Sequence, residues 1–174
     1  MSLLYYDEKM NKHEKKLDYL PIVIYLEELY NAKNETQYLV TIIAHSWYYL
    51  IEGDVNQSPV NYSWEIFHDK WKYYVDLALK NFDNHSEICF IVGYTLYLDW
   101  MYLGKQYENR GIQLMQICYE KATDEKLQAL AKNFLDNCPP NKKYKRLENA
   151  EQICAKLFPS DSELDNYFRK ILIK

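Results

Sequence analysis

Residues 35–53 read ETQYLVTIIAHSWYYLIEG, and they decide the fold class. Leu39, Val40, Ile42, Ile43, Trp47, Leu50 and Ile51 fall on every side of a 3.6-residue helix rather than along one stripe, which predicts a helix packed on all faces. Gly53 ends it, because glycine enters the left-handed conformation that follows a helix at no steric cost. A second stretch of the same kind, EICFIVGYTLYLDWMYLG at residues 87–104, has Asn84 and Ser86 as cap candidates and Gly104 as its stop. Two helices buried all round require others to cover them, so these two are expected at the centre of an all-α fold.

Working outward, apolar residues at three-four spacing predict the covering helices. After a polar lead over residues 1–16, expected to be flexible, Asp18 can cap a helix through Asn31 with Pro21 in its first turn. Leu26, Leu29 and Tyr30 face its core, while Glu27 and Glu28 face out. Beyond the loop 53–61, Ser58-Pro59 or Ser63 opens a helix through Phe82, striped by Trp64, Phe67, Trp71, Tyr74, Val75 and Ala78. Tyr107, Gly111, Leu114, Met115, Cys118 and Ala122 mark the next, in which Gly111 would let a neighbouring helix come close. Leu127, Leu130, Ala131, Phe134 and Leu135 precede a stop at Pro139-Pro140, and Leu147, Ala150, Cys154 and Leu157 precede one at Pro159. Ser160 and Glu163 form a capping box for the last stripe, Leu164, Tyr167, Phe168, Ile171 and Leu172. The reading is an all-α, compact antiparallel array of seven to eight helices in one domain over residues 1–174.

Composition agrees. With 174 residues, 48% of them hydrophobic, and only four Gly and five Pro, the chain can bury a core and lacks the turn residues of an all-β protein. The 18 Tyr suit the border between core and surface, although the general abundance of Asn, Lys, Ile and Tyr is the better account of them. A net charge of −4 argues against a nucleic-acid binder and fits a basic partner. Cys89, Cys118, Cys138 and Cys154 contain no C-x-x-C pair and read as reduced core residues. The charged N-terminus is unlike a signal peptide and no apolar run would span a bilayer, so a cytoplasmic protein without membrane contact is expected.

Chemical motifs are fragmentary. Glu65-x-x-His68 places a carboxylate and an imidazole on one helix face, but a di-iron bundle needs a second copy and two further Glu. His45, His68, Asp69 and Asp99 could supply the ligands of an HD-type metal-dependent phosphohydrolase; otherwise His45 is a hydrogen-bonded core histidine. No G-x-S-x-G elbow and no Gly-rich phosphate loop can be written, so no catalytic residue, metal or cofactor is assigned. Asp99 lies among apolar residues, where it either faces solvent, pairs with Lys105 or Arg110, or presents its charge to a basic partner. Trp100-x-x-Leu103-Gly104-x-x-Tyr107-x-x-x-Gly111 resembles the first half of a tetratricopeptide repeat, an adaptor unit, but Gln116, Glu120 and Thr123 break the second half and no copy follows at its usual offset.

The run Ile88–Tyr94 with its Gly93-Tyr94 pair, the turn Tyr102-Leu103-Gly104-Lys105-Gln106-Tyr107, Gly111 and the closing Lys121-Ala122 resemble elements of small all-helical immunity proteins from bacterial toxin–immunity systems, including contact-dependent growth inhibition. The resemblance covers residues 87–122, about a fifth of the chain. It implies a cytosolic protein that binds a cognate toxin domain, often a basic nuclease, and occludes its active site. Charge and expected exposure then nominate Glu27, Glu28, Glu52, Asp54, Asp69 and Asp99 as partner-binding acids, with Tyr48 and Tyr62 as aromatic anchors; the alternative for each acid is that it only solvates a helix face.

Overall fold

The structure, a computed structural model, describes residues 2–52, 63–99, 105–138 and 147–173. Among these residues it is helical throughout, without strands: α1 (Glu8–Glu14), α2 (Leu20–Lys33), α3 (Thr36–Glu52), α4 (Trp64–Asn81), α5 (Ser86–Leu98), α6 (Lys105–Lys121), α7 (Glu125–Asn137), α8 (Ala150–Leu157) and α9 (Glu163–Leu172). The two helices that are apolar all round are the central ones. In α3 every residue from Tyr38 to Tyr49 is buried, and in α5 every residue from Ile88 to Leu96. Helices α2 and α4 pack on α3 and α6 packs on α5; α7 lies chiefly on α6, α8 on α7 and α9, α9 also reaches α3, and α1 rests on α2.

The packing of α5 against α6 is set by two glycines. A Cβ at Gly111 would lie 2.7 Å from the Gly93 carbonyl oxygen, and one at Gly93 would lie 2.9 Å from the Gly111 carbonyl oxygen. The helices therefore meet backbone to backbone, as the position of Gly111 predicts, with Gly93 as its counterpart. Aromatic rings join α9 to the centre. Trp47 lies edge-on to Tyr94 and Tyr167 and stacks on Phe168, which itself stacks on Phe158 at 5.0 Å. Such pairs add about 0.5–1.5 kcal/mol each beyond the area they bury.

Several boundaries differ from the sequence reading. The N-terminal lead is folded: Leu3, Leu4 and Met10 are buried, and residues 8–14 form α1. The Asp7 carboxylate caps α1 through the Met10 N–H (3.0 Å) and also accepts from the Tyr5 and Tyr25 hydroxyls, each at 2.8 Å. A seven-residue helix with one apolar residue has no stripe to read; the Asp7 cap, the bond to Tyr25 and the burial of Met10 hold it in place. The N-cap of α2 is Tyr19 rather than Asp18, and its C-cap is Asn34 in the left-handed conformation. Helix α5 ends at Leu98, short of Gly104, which lies outside the described residues. The cap of α9 is Ser162, accepting from the Asp165 N–H, while Ser160 donates to the Asp165 carboxylate. The box is therefore shifted by two residues from the Ser160–Glu163 pairing.

Candidate protein-binding face

Helix α4 packs principally on α3 and leaves its outer surface open. Phe67, Trp71, Tyr74, Val75 and Ala78 are buried, with Phe67 stacked on Tyr49 at 3.8 Å. Five large hydrophobic side chains are exposed among the described residues, Ile24, Trp64, Ile66, Tyr73 and Leu98, and three of them stand on α4. Trp64 is 52% exposed and Tyr73 61%. Trp64 occupies the angular position of the buried stripe, but it begins the helix, beyond the turn where Phe67 meets α3. Its ring stacks on His68 at 4.6 Å instead. At about 100° per residue, Ile66 and Tyr73 lie together some 120–140° from the buried stripe, on the flank towards α2.

Charged groups frame these side chains. Lys70 reaches from α4 to Glu27 on α2 at 2.6 Å, so Glu27 is a half-buried strut between helices and does not face out as the sequence suggested. With Lys70 engaged, the first half of α4 presents Glu65, Asp69 and Lys72; Asp69 is 82% exposed and lies 3.7 Å from His68 Nδ1. Glu28 is exposed on α2, as expected.

Asp99 takes none of the partners the sequence offered. It is half-buried at the end of α5 and accepts a hydrogen bond from the Trp47 indole N–H. Burial pushes its carboxyl up to about 6, opposed by that hydrogen bond and by the neighbouring His68. Its charge is thus turned towards the core, and the exposed group at this corner is Leu98. Tyr48 is also displaced from its expected role. It is only 7% exposed, set edge-on to Tyr19 and Tyr167, because α3 is covered on the side where Tyr48 stands as well. Glu52 ends α3, and Asp54 and Tyr62 lie outside the described residues.

The four proposed metal ligands do not converge. Among the described residues no group of three or more His, Cys, Asp or Glu is placed to hold a metal ion. His45 is buried in α3 with its Nδ1 unpartnered among these residues, and burial lowers its pKa to about 3. His68 is spent on Trp64, and Asp69 points to solvent. The four cysteines are free and buried, as read from their spacing. At the other end of α3 a groove of about 470 Å³ lies where α3, α5 and α7 begin. Its acids have local duties: Asp124 caps α7 through the Lys126 N–H (2.8 Å), and Glu87 accepts from Ser86 (3.0 Å).

No protein-family model matches the chain, and no curated protein or solved structure matches it either. No helix among the described residues is long and apolar enough to cross a membrane.

Proposed function

We propose that this chain is an immunity-type binding protein that captures a cognate toxin domain in the cytoplasm and neutralises it by covering its active site. The contact surface is the first turn of α4 and its flank towards α2, with the adjoining edge of α2 and the end of α5. The observation that carries this reading is the concentration of exposed Trp64, Ile66 and Tyr73 on a helix that packs principally on one neighbour. Trp and Tyr are the residue types that most often anchor a protein interface, since each removes a large area from water while losing few rotatable bonds. Glu65 and Asp69, set against the one exposed cation Lys72 on this half of α4, leave a net negative charge that favours a basic partner, adding association rate and discrimination more than affinity. The resemblance of residues 87–122 to immunity proteins supplies the partner class.

A capture experiment from the native host, eluted in salt steps, tests the reading when wild type is run beside a Trp64→Ala/Tyr73→Ala double variant. Loss of two anchors at about 2 kcal/mol each lowers affinity by roughly a thousandfold. Wild type should retain one basic domain in stoichiometric amount, which the double variant, with an unchanged melting curve, should not hold. Equal retention by both proteins would contradict the assignment of this face.

A further inference from the structure

Away from the binding face, and independent of it, a buried carboxylate joins the two ends of the chain. Glu14, in the last turn of α1, is 4% exposed. Its Oε2 accepts from the Tyr6 hydroxyl (3.0 Å) and from the Glu163 N–H (3.3 Å), one of the orphan donors of the first turn of α9. Its Oε1 is buried with no hydrogen-bond partner among the described residues. Two more carboxylates from α9 face it. Glu163 accepts from the Tyr19 hydroxyl, and Asp165 accepts from the Ser160 N–H (2.8 Å) and hydroxyl (2.7 Å). From the segment before α1 the facing group is Tyr6, and from the start of α2 it is Tyr19, with Tyr48 of α3 behind it. Arg169 acts on Asp165 and is tied to the Phe158 carbonyl (2.5 Å) and to Asn166 (2.7 Å).

We propose that Glu14 is a proton-operated latch: with its proton it holds residues 2–17 against α9, and on ionising it loosens that segment. An ionised Glu14 sets a third negative charge beside two carboxylates, makes no salt bridge among the described residues, and leaves one carboxylate oxygen unsolvated. The α9 N-terminus and the Tyr6 hydroxyl relieve only part of this, and burial, its largest influence, moves the carboxyl from 4.5 up to about 7. The sign follows. Glu14 is charged in the unfolded or opened segment above 4.5, yet still protonated in the closed one, so the closed state is favoured below that value. The advantage drains away as pH rises towards 7. What the latch restrains is a segment held by separate, breakable contacts: Leu3 N–H to the Leu157 carbonyl (2.7 Å), Tyr5 N–H to Thr41 Oγ1 (2.9 Å), and Gln37 to the Ser2 carbonyl (3.0 Å).

Hydrogen exchange read by mass spectrometry tests this on the whole chain, comparing peptide 2–17 with a peptide from α6 and correcting for intrinsic exchange rates. With carboxyl values of 4.5 opened and about 7 closed, the opening constant of residues 2–17 should rise about tenfold between about pH 6 and about pH 8.5, while α6 stays level. Glu14→Gln, close in shape and unable to ionise, should abolish the rise. If that variant does not fold, Tyr6→Phe keeps the carboxyl and removes one donor to its ionised form, so the rise should extend to higher pH. A flat wild-type profile, a Gln variant that keeps the tenfold rise, or a Phe variant with an unshifted profile would overturn the proposal.

Discussion

Replacing Gly111 by alanine would place a methyl group in the seam between α5 and α6. The new Cβ would lie 2.7 Å from the Gly93 carbonyl oxygen, 2.8 Å from the Tyr97 nitrogen and 2.9 Å from the Tyr97 Cβ. Ordinary contact begins at 3.4 Å, so the helices would have to part by roughly 0.7 Å. The obstacles include two backbone atoms, which cannot turn aside as a side-chain tip can. Overpacking of this kind costs about 1–3 kcal/mol, and rigid neighbours place it near the top of that range. Alanine recovers about 1 kcal/mol through its better helix propensity. The net expectation is a loss of about 2 kcal/mol, or roughly 4–8 °C in Tm for a chain of this size. Urea unfolding followed by far-UV circular dichroism would measure it, with Gly93→Ala alongside. That change brings one contact under 3.0 Å, the Gly111 carbonyl oxygen at 2.9 Å, and milder ones with Leu114 Cβ at 3.1 Å and the Met115 nitrogen at 3.3 Å, so it should cost less. If Gly111→Ala were instead stabilised by about 1 kcal/mol, as helix propensity alone demands, the close crossing would be refuted.

Trp47→Phe removes the indole donor from Asp99 and opens space in the aromatic centre, for a combined loss of about 2–4 kcal/mol. It should also raise the Asp99 carboxyl above about 6, visible in its carboxyl carbon shift on titration. Because the folded value is already raised, stability from this group is lost as pH rises through 6, and the variant should show a steeper decline there. His45 acts with the opposite sign. Buried and neutral down to about 3, it leaves the unfolded chain to take up a proton below 6.5. Its contribution is complete above 6.5 and lost as pH falls towards 3. His45→Leu should therefore flatten the acid limb of the unfolding free energy, obtained from urea titrations, by about 1.4 kcal/mol per pH unit.

The sequence was most legible where periodicity alone carries the information. Helices α3 and α5 are apolar on every face, and no arrangement satisfies that except central burial. Gly111 was legible too, because a glycine inside an apolar stripe costs helix stability unless a neighbour needs the space. What periodicity could not show depends on which neighbour arrives. Helix α1 has one apolar residue and exists through the Asp7 cap and contacts distant in sequence. Tyr48 looked like a surface anchor until Tyr19 and α9 covered it. Asp99 looked available to a partner, but its hydrogen-bond donor, Trp47, is 52 residues away in the chain. On α4, Ile66 and Tyr73 could have been found by their angle off the stripe. Trp64 could not, since it sits on the stripe and is exposed only because the helix starts before its support does.

Docking of a basic partner on α4 can be read by photo-cross-linking in the native host. A photoreactive residue is placed at position 64 or 73, and a control at exposed Lys132 on α7. One basic protein should be joined to the chain from positions 64 and 73 and absent from position 132. Equal labelling from all three positions, or labelling from position 132 alone, would contradict it.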